Sequence, residues 1–128
     1  MAPGRLIIDA ESLAKLCAHA AEEKKAEEIV VLAVGPLVPI TDYFVIATVQ
    51  NGRQMKAVSE EIRSRLKLFA SALPHSEGVG DQRWRLLDYG SVVVHLFDPE
   101  SRSYYDLDSL WADAQRVSWR TEAVSITG

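Results

Sequence analysis

Cysteine and long apolar runs are nearly absent from this sequence, and each absence narrows what the chain can be. Cys17 is the single cysteine among 128 residues, so the chain cannot form an internal disulfide. No apolar run approaches the roughly 20 residues that a membrane-spanning helix needs. The run Leu6–Ile8 is too short for a signal peptide. We therefore expect a cytoplasmic protein that does not contact a membrane.

Positive charge is also scarce. The sequence has 14 lysines and arginines against 18 aspartates and glutamates, which gives a net charge of −4. Such a chain gains little from the counterion release that drives binding to phosphate backbones, so direct nucleic-acid binding is not expected. A basic protein partner is compatible with this charge. The hydrophobic share of 48% and the charged share of 25% are typical of one globular domain.

The patterns that accompany catalysis or cofactor binding are missing. Neither a GxGxxG nor a GxxxxGKS/T phosphate loop occurs. His19, His75 and His95 fall on a predicted helix, loop and strand, so they do not form a metal cluster. Asp88, Ser91 and His95 can be written as a triad, but they come from one predicted hairpin without a nucleophile elbow or oxyanion site. We predict no catalytic residues, no metal and no cofactor.

Two other candidate reactive groups have simpler structural interpretations. Asp106 and Asp108 form the Asp-x-Asp pattern of metal-dependent transferases, but they stand at a predicted helix start, where aspartates cap free N–H groups. The strand after Asp42 supplies no second acid, and metal-dependent phosphoryl transfer needs two or three. Cys17 lies in an apolar helical stripe, which is typical of a small core residue.

Apolar periodicity predicts helices that alternate with strands. Helices are predicted over about Ala10–Lys25 and Arg53–Ala70 and from near Asp106, and strands over Ile29–Val34, Tyr43–Val49, Arg83–Asp88 and Val92–Phe97. Tyr104-Tyr105 is predicted to be a short extended stretch. This order gives a single α/β domain with helices packed on a mixed β-sheet. We place the domain at residues 1–115 and a tail, frayed or lying across the core surface, at 116–128.

Alternation in the predicted hairpin separates its side chains into two sets. Trp84 and Leu86 are assigned to one face, and Arg85 and Leu87 to the other. In the second arm, one face carries Val93, His95 and Phe97. Near the last helix, the residues expected in the core are Tyr104, Leu107, Leu110, Trp111 and Ala114.

Three segments occur in an informative order and spacing. They are Thr41–Thr48 followed by Arg53-Gln54; Glu77-Gly78 followed by Trp84–Gly90 and Val92–His95; and Arg102 followed by Tyr104–Trp111. Together they resemble the Iojap-like ribosomal silencing factor (RsfS) family, over nearly all of the chain from the first helix to about Ala114. Two positions depart from the family pattern. Ser91 replaces a usual aspartate, and Val49–Gly52 replaces a Gly-Asn-Ser-like loop.

The resemblance implies a nucleotidyltransferase-like fold without the catalytic acids, and a protein that is not an enzyme. It also implies binding to large-subunit ribosomal protein fourteen on the face that meets the small subunit. Occupying that face would block subunit joining and repress translation under nutrient limitation. Two alternatives stay open from the residues alone: a nucleotidyltransferase-like enzyme and a generic dimeric adaptor. A homodimer of the free protein is compatible with each of them.

The partner-binding residues that we predict are Trp84, Asp88, Tyr89, Ser91 and His95. Trp and Tyr supply the large rigid contact area that anchors interfaces. Asp88 can pair with an Arg or Lys of a basic ribosomal protein, or it can serve only to satisfy the turn. For Trp84 the structural alternative is packing on the second helix. The resemblance places Ser91 beside the binding face, at a position where the family usually carries an aspartate.

Overall fold

The computed structural model describes residues 8–69, 74–78 and 80–120, which form one sheet with helices on it. The elements are α1 (Ala10–Glu23), β1 (Glu27–Ala33), β2 (Tyr43–Thr48), α2 (Gly52–Leu66), β3 (His75–Glu77), β4 (Trp84–Asp88), β5 (Val92–Phe97), α3 (Pro99–Tyr105), α4 (Leu107–Leu110) and β6 (Gln115–Arg116). The predicted α/β fold class with a mixed sheet is confirmed. In this part of the chain, no helix combines the length and apolarity needed to cross a bilayer.

The sheet has the strand order β3-β4-β5-β2-β1-β6. Its central pair, β2 and β5, is parallel, and every other neighbouring pair is antiparallel. Both central strands are almost continuously apolar, as expected of strands that are covered on both faces. Their register places Phe44 beside Val93 and Ile46 beside His95.

Helices α1 and α2 cover one face of the sheet, which we call the helical face. Asp9 starts α1 by accepting the Ser12 N–H at 2.7 Å, and Asn51 starts α2 by accepting the Gln54 N–H at 2.8 Å. The larger core lies beneath them and includes Cys17, Val45, Ile62 and Leu87, all of them fully buried. In the strands, residues such as Val45 and Leu87 alternate with residues that point to the opposite face. This alternation fixes the register, because a slip of one residue would move every side chain of the strand to the other face of the sheet.

The opposite face, which we call the open face, is covered less completely. Its smaller core includes Phe44, Ile46 and Phe97, with Trp84 and Leu86 packed beside them. The assignment of Trp84 and Leu86 to one face of the hairpin and Leu87 to the other is confirmed. The segment from Pro99 to Ala114 crosses this face, and Leu107 and Trp111 pack on it.

The prediction of an extended stretch at Tyr104-Tyr105 is wrong, because both residues end helix α3. Asp98 caps this helix by accepting the Ser101 N–H at 2.8 Å, and Pro99 stands at its first position. Asp106 then adopts a left-handed conformation, with φ of 47°, and separates α3 from α4. The turn leaves Tyr104 80% exposed and Leu110 68% exposed, so placing these two in the core was also wrong. Trp111 packs inward, its ring edge-to-face with Phe44 at 5.4 Å.

The two aspartates of the Asp-x-Asp pattern have structural partners. Asp106 accepts the Ser109 N–H at 3.4 Å and so caps α4. Asp108 forms an ion pair with Arg102 at 3.1 Å, and Arg102 also donates to the Thr48 hydroxyl at 2.9 Å. Arg102 is only 9% exposed, and a charge so deeply buried needs such partners. Asp106 therefore starts α4, and Asp108 pairs with the arginine that links α3 to the sheet.

Candidate partner-binding site

A groove of about 260 Å³ opens on the open face between the sheet and the α3–α4 segment. Its lining is almost entirely apolar and consists of Trp84, Leu86, His95, Phe97, Tyr105 and Leu107. Strands β4 and β5 form the floor, since their alternating residues point to this side. The exposed side chains of Tyr104 and Leu110 belong to the same α3–α4 segment. An apolar groove with exposed apolar neighbours is typical of an interaction surface.

Trp84 stands at the start of β4, and a close backbone approach holds it there. Gly78 has a φ of +81°, and a Cβ on it would lie 2.8 Å from the indole Cε3 and 2.5 Å from the Trp84 carbonyl oxygen. The ring therefore packs directly over the glycine. The alternative that Trp84 packs on the second helix is wrong, because α2 lies on the opposite face of the sheet.

This approach predicts different costs for two neighbouring glycines. Gly78→Ala and Gly80→Ala both place a side chain at positive φ, but a Cβ at Gly80 would meet nothing within 4 Å. Gly78→Ala should therefore lower the free energy of unfolding by about 1–3 kcal/mol more than Gly80→Ala does, because it overpacks the Trp84 ring. Urea denaturation of both variants measures the difference. Equal costs would show that the ring does not depend on Gly78.

His95 forms the centre of the groove floor. Its ring lies edge-to-face with Phe44 at 4.7 Å and stacked with Phe97 at 6.1 Å. Burial lowers the pKa of His95 to about 4, although the nearby Asp88 carboxylate opposes that shift. Its Nε2 atom is buried and has no hydrogen-bond partner among the described residues. The imidazole is therefore neutral near pH 7.

The low pKa of His95 makes stability dependent on pH. Between its ordinary pKa of 6.5 and about 4, the unfolded chain binds a proton on this ring and the folded chain does not. The free energy of unfolding should therefore fall by about 1–3 kcal/mol as pH drops through this window, and this contribution should level off below it. Urea denaturation across the window should show a smaller fall for His95→Leu. The control His75→Gln, at an exposed histidine, should show the same fall as the parent. An undiminished fall in His95→Leu would contradict the assignment of this pH dependence to His95.

The three predicted contact residues at the hairpin turn, Asp88, Tyr89 and Ser91, are placed differently from one another. Asp88 lies on the open face, and its Oδ1 accepts the Gly90 N–H at 2.8 Å, so it satisfies the turn. The Ser91 carbonyl oxygen accepts the backbone N–H groups of Asp42 and Tyr43 at 3.0 and 3.1 Å. Tyr89 instead packs against the core of the helical face. The structure thus brings Trp84, Asp88 and His95 to one face and separates Tyr89 from them.

Tyr89 has a buried hydroxyl without a hydrogen-bond partner in the described chain. Burial raises the pKa of this phenol, and the side chain is held between the sheet and α1. Tyr89→Phe should leave the free energy of unfolding unchanged or raise it by up to about 1 kcal/mol, because it removes an unsatisfied polar group. Tyr89→Ala should lower it. Thermal circular dichroism of the two variants checks the contrast, and a clear loss in Tyr89→Phe would indicate a hydroxyl partner.

The comparison with protein families decides the family. A family model described as ribosomal silencing factor during starvation matches residues 7–127. This chain belongs to the ribosomal silencing factor family. The resemblance inferred from the three sequence segments is therefore confirmed.

Individual family relatives agree with this result. The Bacillus subtilis ribosomal silencing factor RsfS is 36% identical over 104 residues, which cover 81% of this chain and 88% of that protein. The Mus musculus protein named mitochondrial assembly of ribosomal large subunit protein 1 is 34% identical over 92 residues, 70% of this chain and 40% of that protein. A crystal structure of a Chromobacterium violaceum protein matches with a TM-score of 0.78 and 31% identity, covering 92% of this chain and 98% of that chain.

The groove of this family member contains residues that sequence reasoning did not select. Phe97, Tyr105 and Leu107 line it. Phe97 was detectable, since alternation already placed it on the same face as His95. Tyr105 and Leu107 were not, because their positions depend on the turn at Asp106. Across the described ranges, no group of three or more His, Cys, Asp or Glu residues is arranged to hold a metal ion.

Proposed function

We propose that this chain binds the large ribosomal subunit through large-subunit ribosomal protein fourteen and sterically blocks joining of the small subunit. Membership of the ribosomal silencing factor family supports a role in silencing ribosomes. The Mus musculus relative is named for assembly of the ribosomal large subunit, which favours that subunit as the partner. The single observation that favours the open face as the docking surface is its apolar, aromatic groove.

In this proposal Trp84 and His95 contact the partner directly. Trp84 offers a large rigid ring at the groove, and the partly exposed, neutral imidazole of His95 offers a flat contact surface on the groove floor. Exposed Tyr104 and Leu110 extend the apolar surface beyond the groove. Together these features provide a hydrophobic centre that a partner surface can cover and exclude from water.

Asp88 and Ser91 lie at the turn end of the same hairpin, and we propose that they form the rim of the interface. Asp88 keeps one carboxylate oxygen beyond the bond to Gly90, and this oxygen can pair with a cation of a basic ribosomal protein. Such a rim pair acts mainly on association rate and salt dependence. Tyr89 supports the turn from the helical face and is not itself a contact.

We propose a stoichiometric rather than a catalytic mechanism. The Asp-x-Asp carboxylates that a transferase would use for metal are engaged in capping α4 and in pairing with Arg102. A protein that acts by occupancy has to be present at about one copy per large subunit. The alternative of a nucleotidyltransferase-like enzyme requires turnover of a nucleotide with a divalent metal, which a direct assay detects.

Light scattering from purified subunits tests the proposal. The chain is titrated into large subunits before small subunits are added, and the fraction joined is measured. We expect inhibition that saturates at one chain per large subunit and is slow or absent when the chain meets ribosomes already joined. Inhibition at strongly substoichiometric amounts would indicate catalysis instead. Failure to co-sediment with large subunits would indicate an adaptor with another partner.

A further inference from the structure

A second pocket, of about 630 Å³, lies at the start of α2 and faces the loop that enters β4. Three cationic side chains line it: Arg53, Lys56 and Arg85. Among the described residues that line this pocket, Asp81 is the one acid, and its Oδ1 accepts the Arg83 backbone N–H at 2.8 Å. Positive charge is therefore concentrated at one place on a chain whose net charge is −4.

The three cations of this pocket have no ion-pair partner among the described residues. None of the three forms an ion pair within 4.0 Å with a carboxylate of the described chain. Arg85 donates from Nη1 to the Ser59 hydroxyl at 3.1 Å, while its Nε is buried and unpaired with any described residue. Buried donors are almost always satisfied in folded proteins, so an unpaired guanidinium nitrogen calls for an explanation.

A fourth cation adds to the imbalance. Arg63 lies about two turns beyond Lys56 along α2. It donates to the Ser76 hydroxyl at 2.7 Å and likewise has a buried Nε without a described partner. Burial and the charge of Arg63 lower the pKa of Arg85, and Glu60 offsets part of this effect without forming an ion pair. Two guanidinium groups held near each other without an ion-paired carboxylate are stabilised when an anion binds between or beside them.

Backbone donors stand beside the cations. Asn51 caps the Gln54 N–H, which leaves the N–H groups of Gly52 and Arg53 without intrahelical acceptors. The start of α2 also lies close to the loop on the other side of the pocket, because a Cβ on Gly52 would lie 2.9 Å from the side chain of Gln82. A phosphoryl group offers several acceptor oxygens and suits a set of guanidinium, ammonium and backbone donors.

The pocket adjoins the groove of the open face. Trp84 and Arg85 are consecutive residues of β4, so their side chains point to opposite faces of the sheet. Pairing with β3 begins only at Leu86, opposite Glu77, so β3 does not extend beside Arg85, although the chain at Gly78 packs against Trp84. A large partner that covers Trp84 can thus reach Arg85 around the edge of β4.

We propose that this cationic pocket binds a backbone phosphate of large-subunit RNA beside the protein surface that the groove covers. The inference rests on the proposed function for the identity of the RNA. It adds a sequence-independent electrostatic contact to an otherwise apolar docking surface. The overall negative charge of the chain then opposes non-specific binding to RNA.

The test compares two double variants that remove equal charge. Arg53→Gln with Lys56→Gln alters the pocket, whereas Lys15→Gln with Lys67→Gln removes two lysines that do not line it. Affinity is measured for intact large subunits and for isolated ribosomal protein fourteen at several salt concentrations. Between about 50 and 200 mM salt, the parent should lose about three- to fourfold more affinity for subunits than the pocket variant, since one phosphate contact contributes a log–log slope of about 0.9.

The control variant should behave like the parent, and both variants should bind isolated ribosomal protein fourteen like the parent. An unchanged salt slope in the pocket variant, while the parent binds subunits, would overturn the inference and leave the proposed function standing. Equal weakening of the pocket variant on subunits and on isolated protein would assign the pocket to a protein contact. No binding by the parent to either target would remove both proposals.

Calorimetric titration with adenosine triphosphate and with inorganic phosphate separates RNA from a free nucleotide as the phosphate source. We expect both to bind the free chain weakly compared with intact subunits. Tight triphosphate binding that is lost in the pocket variant, together with unchanged subunit binding, would show that the ligand is a free nucleotide and would overturn the RNA assignment.

Discussion

Trp119→Ala should lower the free energy of unfolding by about 3–5 kcal/mol, the cost of emptying a core site of this size. Trp119 is only 7% exposed although it lies in the segment predicted as a tail. Its indole Nε1 donates to the Ile29 carbonyl oxygen at 3.2 Å, and its ring meets His19 edge-on at 5.2 Å. The described end of the chain therefore packs against the core of the helical face, and removing the ring leaves a cavity in that core.

Thermal and urea denaturation of purified variants measure this effect. The matched control is Arg120→Ala, which removes a guanidinium 4.5 Å above the Trp119 ring and an exposed ion pair with Glu22 at 3.0 Å. Exposed contacts of this kind contribute about 1 kcal/mol or less. Similar losses in the two variants would mean that Trp119 does not contribute to the core.

Trp84→Ala should weaken binding to large subunits by about 2 kcal/mol or more, which is about thirtyfold. The Trp84 ring lines the groove and is half-buried in the free protein, so a partner can cover the remaining surface. Its neighbours Leu86 and Phe97 keep the open-face core in place when the ring is removed. We therefore expect the loss of stability to be smaller than that of Trp119→Ala.

Both quantities have to be measured on the same preparations, by co-sedimentation with large subunits and by thermal circular dichroism. Trp84→Phe is the matched variant, since it keeps a flat apolar ring over Gly78 and should retain part of the affinity. Tyr89→Phe is a second control and should bind like the parent, because its ring lies on the helical face. Parent-like binding by Trp84→Ala would remove the groove as the docking surface while leaving family membership intact.

Elements with strong apolar periodicity were predictable from the sequence. The strands at Tyr43–Thr48 and Val92–Phe97 are long, β-branched and buried, and their predicted bounds agree with the structure to within one residue. Helix α1 was predictable for a similar reason, since its apolar stripe repeats at helical spacing and Asp9 caps its start. In these segments local propensity and tertiary burial favour the same conformation.

Other segments depend on interactions that the local pattern does not contain. Strand β6 has only two residues and exists because it pairs with Leu32 and Ala33 of β1. The positions of Tyr104 and Leu110 follow from the left-handed turn at Asp106, a conformation that a non-glycine residue adopts infrequently. The capping signal of Asp98 followed by Pro99 was present in the sequence, however, and it was overlooked, although it marks the start of α3.

The candidate site was predictable in part. Strict alternation from Trp84 places Asp88 on the same face and Tyr89 on the other, and this rule was sufficient to separate the two. The motif Asp-Tyr-Gly instead drew them into one group by sequence proximity. The apolar wall from α3 and α4 was beyond reach, because it comes from residues that are distant in sequence from β4 and meet it only through the Asp106 turn.

The most direct measurement of the docking surface is thiol alkylation of variants that each add one cysteine, free and bound to large subunits. Cys17 is 0% exposed and burial raises its pKa to about 12, so the native thiol should not react. Tyr104→Cys places a thiol beside the groove, where the native side chain is 80% exposed, and Leu68→Cys places one directly after α2, where it is 57% exposed. We expect large subunits to slow alkylation of Tyr104→Cys strongly and to leave Leu68→Cys unchanged. Protection of Leu68→Cys alone, or of neither, would contradict docking through the open face.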